Sequence, residues 1–125
     1  MIVTDDRVPR FVARLTGTRV IPPYTAMGLE HDGEIIGGVV FNHFTGHDLH
    51  VTVAGRGWTR GFLAEVGQYV FGQLHCLRIT VVTEQPKVVR LSERLGGQVE
   101  GLLRNHFGAG RPAFVVGILK EDYPW

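Results

Sequence analysis

The sequence has 125 residues, of which 44 % are hydrophobic and 20 % charged, and its 13 Lys and Arg against 12 Asp and Glu leave a formal charge of +1. This length predicts one domain, residues 1–125, and the composition excludes a disordered chain. The near-neutral charge argues against a nucleic-acid-binding protein, and no apolar run approaches the roughly 20 residues of a membrane-spanning helix.

The first half of the sequence predicts one helix followed by three strands. The helix covers 5–16, with an aspartate at its start and Gly17 as its stop. The strands cover 24–31, 34–44 and 47–54, and the first two flank Asp32-Gly33, a dipeptide favoured in hairpin turns.

The second half predicts a strand between two helices, and then two more strands. Helix 58–74 has apolar residues at helical spacing and Thr59 as its cap. Strand 77–83 follows, and helix 86–95 then begins at Pro86. The last two strands are 98–103 and 113–119. Antiparallel strands followed by a strand–helix–strand crossover predict a mixed sheet with helices on its faces.

Cys76 is the only cysteine, so the chain cannot form an internal disulfide or a CxxC metal site. We interpret Cys76 as a partly buried, inert thiol. The first residues lack the basic start and apolar core of a signal peptide, so we expect a reducing, cytoplasmic setting.

The glycine-rich segment 54–61 lies between a predicted strand and the start of a predicted helix, where backbone N–H groups and the helix dipole favour an anion. Gly55 and Gly57 would let the backbone approach a phosphate, and Arg56 or Arg60 could add a charged contact. The segment lacks the Lys-Ser/Thr of a P-loop and the dinucleotide fingerprint. An ordinary turn is the alternative interpretation.

The segment 85–104 resembles the closing half of the GCN5-related N-acetyltransferase (GNAT) family, in which a helix "AxxLYxxLGF" precedes a strand "EGxLR". The matching residues are Leu91, Leu95, Gly96, Glu100, Gly101, Leu103 and Arg104. Residues 55–63 resemble the family's pyrophosphate loop, "R/Q-x-x-G-x-G/A". The stretch 116–122 is similar to the last strand of the ribosomal-protein-acetylating branch and of phage-encoded relatives. The resemblance extends from about residue 24 to the end of the sequence.

This resemblance implies a GNAT-like α/β fold. Its central sheet is mixed and mostly antiparallel, with helices on both faces, strands that splay at the cofactor site and a shortened N-terminal part. The implied activity is acetyl transfer from acetyl-CoA to a primary amine, by direct attack of the amine on the thioester. A protein N-terminus, a lysine or a small amine could be the acceptor.

The resemblance also assigns a set of residues to acetyl-CoA. Strand residues 51–53 would offer a backbone N–H to the thioester carbonyl, residues 55–61 would hold the pyrophosphate, and two residues would lie near the cofactor. The set is Val51, Val53, Gly55, Arg56, Gly57, Trp58, Thr59, Arg60, Gly61, Gln85 and Arg90. Trp58 could instead simply anchor the start of the helix in the core.

Several positions depart from the family pattern, and the departures open a second interpretation. Ala54 and Thr59 replace two anchors of the loop motif, and Gln85 replaces an asparagine. Ser92 occupies the position of the tyrosine that often protonates the leaving thiolate. A serine could hydrogen-bond the thiolate but is a poor proton donor. The alternative is therefore a catalytically inactive GNAT-like module that binds acyl-CoA or a protein.

The stretch 43–50 contains the candidate general base. If Thr45-Gly46 forms a two-residue hairpin, Phe41 faces His50 and His43 faces Asp48, and alternation places His43, Asp48 and His50 on one face. We assign His50 as the base, because a histidine suits deprotonation of an amine. A solvated surface histidine is one alternative. A zinc or nickel site that also uses His47 is another, although alternation places His47 on the opposite face.

The apolar ending Tyr123-Pro124-Trp125 predicts a contact with a neighbouring surface, and we expect a homodimer.

Overall fold

The computed structural model describes residues 1–125 and contains one seven-stranded sheet with three α-helices. The strands are β1 (Ile2–Val3), β2 (Thr25–His31), β3 (Glu34–Asn42), β4 (Asp48–Gly55), β5 (Arg78–Thr83), β6 (Gln98–Leu103) and β7 (Ala113–Leu119). The helices are α1 (Arg7–Thr16), α2 (Arg60–Gly67), which continues as a π-helix over Gln68–Gln73, and α3 (Pro86–Arg94). A 3-10 turn, Lys120–Asp122, follows β7.

The strand order is β1-β2-β3-β4-β5-β7-β6, and every neighbouring pair is antiparallel except β4 with β5. A parallel pair needs a crossover connection, and α2 with its π-helical extension provides it. The predicted mixed, mostly antiparallel sheet is therefore confirmed. The two-residue strand β1 escaped the sequence analysis because it is too short to show a period.

The sheet separates two layers. Helix α1 packs on one face, where Val8 and Val12 lie against Gly28 and Gly38. A Cβ at either glycine would collide with these valines, so the glycines set how closely α1 approaches the sheet. Helices α2 and α3 cover the other face and enclose the larger core, around Phe41, Phe62 and Val81 among others. None of the helices is long and apolar enough to cross a membrane.

The predicted register of β3 and β4 is wrong by one residue. Asn42 pairs with His50 and Phe41 with Val51, because β3 ends at Asn42 and a five-residue turn, 43–47, replaces the expected two-residue hairpin. The hydroxyl of Thr45 accepts a hydrogen bond from the Asp48 backbone N–H and stabilises this wider turn. Helix 58–74 also differs from the prediction, since its last turns are π-helical, with Leu74 N–H bonded to the Tyr69 carbonyl.

Candidate active site

The parallel strands β4 and β5 separate halfway along their length. They pair from Asp48 with Arg78 to Val51 with Val81, and the ladder then stops. Beyond that point β4 stays paired with β3 as far as Gly55, while β5 stays paired with β7 as far as Thr83. The two strands therefore splay apart and leave a gap in the middle of the sheet.

Gln85 spans this gap. Its side-chain Nε2 donates a 2.9 Å hydrogen bond to the backbone carbonyl of Val53. The N–H and C=O of one strand residue face the same neighbour, so the N–H of Val53 also points into the gap. The structure thus presents a backbone donor at the end of the β4–β5 ladder, at one of the positions that the sequence analysis assigned to the thioester.

The loop between β4 and α2 lies beside the gap, and its two glycines have positive φ angles, +95° at Gly55 and +87° at Gly57. A Cβ at Gly55 would collide with the Ile36 carbonyl oxygen, so this position requires glycine. The Arg56 N–H already donates to that Ile36 carbonyl, at 2.9 Å. Arg56 can therefore contribute its side chain to an anion, but not its backbone N–H.

Helix α2 begins at this loop with the predicted cap. Thr59 has extended φ and ψ angles, and its hydroxyl accepts a 3.1 Å hydrogen bond from the Phe62 N–H. The N–H groups of Arg60 and Gly61 lie in the first turn and have no partner within the helix. Together with the helix dipole they form a site of positive potential at the mouth of the gap.

On the α2–α3 face, the gap opens into a cavity with a volume of about 40 Å³. Of its 14 lining residues 13 are hydrophobic, and Ser92 is the exception. Trp58 is half-buried against Phe62, with ring centroids 5.6 Å apart, and also lines this cavity. Trp58 therefore anchors the start of α2 in the core and also forms part of the cavity wall.

Ser92 is buried in α3 and donates a 2.7 Å hydrogen bond from its hydroxyl to the Val88 carbonyl one turn earlier. Ser92 is also a lining residue of the cavity, and its proton is already committed to Val88. The hydroxyl would have to rotate away from Val88 to donate to a thiolate.

On the α1 face, a second cavity of about 100 Å³ lies over the same gap. It is lined by Thr52, Val53, Val82, Thr83, Glu84 and Gln85, by Leu15 and Thr16 of α1, and by Phe107. Val53 lines both cavities, so the two cavities lie on either side of the sheet at this residue.

His50 lies on the α1 face, at the end of β4 that is still paired. Its Nε2 is 3.7 Å from Asp48 Oδ2, and its ring centroid is 5.1 Å from that of His43. The three residues that the sequence analysis placed on one face are thus close together, although the register used to predict this was wrong. Partial burial lowers the pKa of His50, against the opposing effect of Asp48.

The Asp48 carboxylate is held by its neighbour on β5. Thr80 donates a 2.7 Å hydrogen bond to Asp48 Oδ1, and Arg78 Nε donates to Thr80. No three His, Cys, Asp or Glu side chains in the structure, His43, Asp48 and His50 included, are arranged so that they could hold a metal ion. His47, the remaining member of the metal hypothesis, is exposed in the turn, so the structure does not assemble that site.

The three arginines that the resemblance assigned to acetyl-CoA lie at the surface. Arg56, Arg60 and Arg90 are exposed, and none of them takes part in an ion pair.

Cys76 is buried and burial raises the pKa of its thiol, which agrees with an inert cysteine.

The role of the last residues was not predicted from the sequence. Tyr123 lines the α2–α3 cavity and Trp125 stacks on Arg60, so this stretch packs on its own chain. No sequence signal distinguished this from a contact with a second subunit.

No protein-family model and no curated protein sequence matches this chain. Solved structures do. Mutant forms of the spermidine/spermine N-acetyltransferase SpeG from Vibrio cholerae superpose with a TM-score of 0.75 at 18 % identity, covering 98 % of this chain and 96 % of theirs. A dodecameric structure of the spermidine N-acetyltransferase from the same organism gives a TM-score of 0.73 at 20 % identity, covering 99 % and 95 %.

The similarity at this level of identity establishes the fold. The chain has the architecture of the N-acetyltransferases, with a mostly antiparallel seven-stranded sheet, as the GNAT resemblance implied. The ribosomal-protein-acetylating branch and the phage-encoded relatives remain a prediction from the sequence.

Proposed function

We propose that the protein is an acetyl-CoA-dependent N-acetyltransferase that moves an acetyl group to a primary amine by direct attack. The gap between β4 and β5 carries this proposal. It combines a backbone donor at Val53, an anion-binding loop at its mouth and one cavity on each face of the sheet.

The residues around the gap fit acetyl-CoA. The N–H groups at the start of α2 and the side chains of Arg56 and Arg60 suit a pyrophosphate, and the space between the separated strands β4 and β5 suits the extended pantetheine arm. The cofactor supplies an activated acetyl thioester. The Val53 N–H, fixed by the neighbouring bond from Gln85, would polarise the carbonyl oxygen and stabilise the negative charge that develops on it.

The two candidate catalytic side chains lie on opposite faces of the sheet, which suits a reaction between two substrates. Ser92 faces the cofactor side, where the thiolate leaves, and His50 lies on the α1 face. His50 is two positions before Thr52, a wall of the α1-face cavity, and both side chains point to the same face. With its pKa lowered, His50 is neutral near pH 7 and can take a proton from the substrate ammonium, which leaves a neutral amine to attack the thioester.

A catalytically inactive module that binds acyl-CoA is the second candidate, favoured by one observation. Ser92 replaces the usual tyrosine, and its proton is committed to Val88. Such a protein would bind acetyl-CoA at the same gap without transferring the acetyl group.

The acceptor is proposed at the level of a primary amine. The structural neighbours named as spermidine acetyltransferases make a small amine the first acceptor to test, followed by a lysine and a protein N-terminus. We further propose that the protein is cytoplasmic. A homodimer remains a prediction of the sequence alone, because the 123–125 stretch on which it rested packs on its own chain.

An acceptor screen tests the proposal. Purified protein is incubated with acetyl-CoA and spermidine, a lysine peptide or a peptide with a free N-terminus, and both CoA release and acetylated product are measured. Product formation with one acceptor supports the enzyme. Micromolar binding of acetyl-CoA with no product from any amine supports the inactive module, and no binding contradicts both.

A further inference from the structure

The last three residues of the sequence, Tyr123-Pro124-Trp125 (the 123–125 segment), lie along α2. The Tyr123 hydroxyl donates a 2.5 Å hydrogen bond to the Leu63 carbonyl, and its ring lies 5.4 Å from that of Phe71. A Cβ at Gly67 would collide with the Tyr123 ring, so this glycine makes room for the segment. The 123–125 segment therefore packs on α2 through specific contacts.

The segment ends with Trp125 over Arg60. The guanidinium carbon of Arg60 lies 4.5 Å from the centroid of the Trp125 ring. Arg60 is the first residue of α2, and residues 60, 63 and 67 share one face of the helix, the face along which the segment runs. The Trp125 indole thus lies against Arg60, which borders the loop at the mouth of the gap.

Stacking restrains Arg60 without consuming its hydrogen-bonding capacity. The N–H donors of a guanidinium lie in its plane, so an aromatic ring on its face leaves their edge free. No carboxylate pairs with Arg60, whereas Arg7, Arg78 and Arg111 are each held by an acid. An arginine held by an indole alone keeps its full charge available to an anion.

We propose that Trp125 is a positioning residue, which holds Arg60 with its donor edge available to the pyrophosphate of acyl-CoA. This inference rests on the proposed function. Arg56, the other arginine of the loop, is exposed and has no aromatic partner, so Arg60 is the preorganised one of the two.

The test measures acetyl-CoA binding by calorimetry for the wild type, Trp125→Leu, Trp125→Phe, Arg60→Gln and the double variant Trp125→Leu/Arg60→Gln. Trp125→Leu should weaken binding about three- to fivefold, since it removes the aromatic face but keeps apolar bulk. Trp125→Phe should retain most of the affinity. In the Arg60→Gln background, Trp125→Leu should have no further effect.

S-acetylpantetheine separates positioning from a general structural role, because it has the thioester arm but no pyrophosphate. Its affinity should be the same in the wild type and in Trp125→Leu. An equal loss for both ligands, an undiminished loss in the Arg60→Gln background, or tighter acetyl-CoA binding by Trp125→Leu would each overturn the inference while leaving the proposed function intact. A wild type that does not bind acetyl-CoA at millimolar concentration would overturn both.

Discussion

Gln85 donates a 2.9 Å hydrogen bond to the carbonyl of Val53, across the point where β4 and β5 separate. The bond links the start of α3 to the only part of β4 that has lost its β5 neighbour. Gln85 stands where the GNAT resemblance has an asparagine, and its side chain spans the gap. Gln85 therefore fixes the backbone that would polarise the thioester.

Replacing Gln85 by alanine should lower the free energy of unfolding by about 1 kcal/mol, because the Val53 carbonyl loses its partner. It should also weaken acetyl-CoA binding, since Val53 is no longer held. Urea unfolding and calorimetry measure the two effects. Gln98→Ala, an exposed position on β6, is the matched control. If the two variants behave alike, the bond has no role in the site.

Gly55→Ala and Gly61→Ala should have opposite effects on stability. At Gly55, φ is +95° and a Cβ would collide with the Ile36 carbonyl, so we expect a loss of roughly 1–3 kcal/mol. At Gly61 a Cβ meets nothing within 4 Å, and alanine in the first turn of α2 should stabilise by up to about 1 kcal/mol. Thermal unfolding of both variants measures this. A Gly55→Ala variant as stable as the wild type would mean that the loop has another conformation.

The rate of acetyl transfer should fall on acidification. Burial lowers the pKa of His50 below its ordinary value of 6.5, so the base is neutral at pH 7 and becomes protonated only at lower pH. kcat/KM should therefore fall through an apparent pKa below 6.5, and His50→Gln should reduce kcat about a hundredfold. His31→Gln, at the exposed β2–β3 turn, should leave the profile unchanged. An unaltered profile in His50→Gln would remove His50 from the mechanism.

The same residue makes an acid-dependent contribution to stability. As pH falls below 6.5, the unfolded chain binds a proton at His50 before the folded protein does. Neutral His50 therefore contributes stability above pH 6.5, and this contribution is lost as the pH falls through the lowered pKa of His50 in the folded protein. His50→Gln should therefore lose less stability than the wild type between pH 7 and pH 5, as measured by urea unfolding at each pH. A parallel loss in both proteins would contradict the assignment.

Ser92→Ala separates turnover from folding. The Ser92 hydroxyl bonds the carbonyl of Val88 in its own helix, so its removal should change stability by less than about 1 kcal/mol. If Ser92 assists the leaving thiolate, kcat should fall about tenfold with KM for acetyl-CoA unchanged. Steady-state kinetics decide this, and an unchanged kcat would exclude Ser92 from catalysis.

Much of the fold could be predicted because its signals are local. Asp32-Gly33, the Thr59 cap and Pro86 each define a turn or a helix start, and the structure has them where the sequence placed them. The β3–β4 register was predicted wrongly because the turn length depends on the Thr45 side-chain bond to Asp48, which leaves no periodic pattern.

The candidate site was predictable only in part. The glycine loop and the histidine pair can be found from turn chemistry and alternation. The hydrogen bond from Gln85 to Val53 joins residues 32 apart in sequence, and the Trp125–Arg60 stack depends on how the 123–125 segment docks. Tertiary contacts of this kind carry no local pattern.

Calorimetric titration of the wild type with acetyl-CoA, dephospho-CoA and pantetheine tests the central claim most directly. If the β4–β5 gap and its loop form a cofactor site, acetyl-CoA binds one-to-one with micromolar affinity. Dephospho-CoA, which keeps the pyrophosphate, binds comparably, and pantetheine binds far more weakly. No detectable binding of acetyl-CoA at millimolar concentration would contradict the account, because the fold would then be present without its cofactor site.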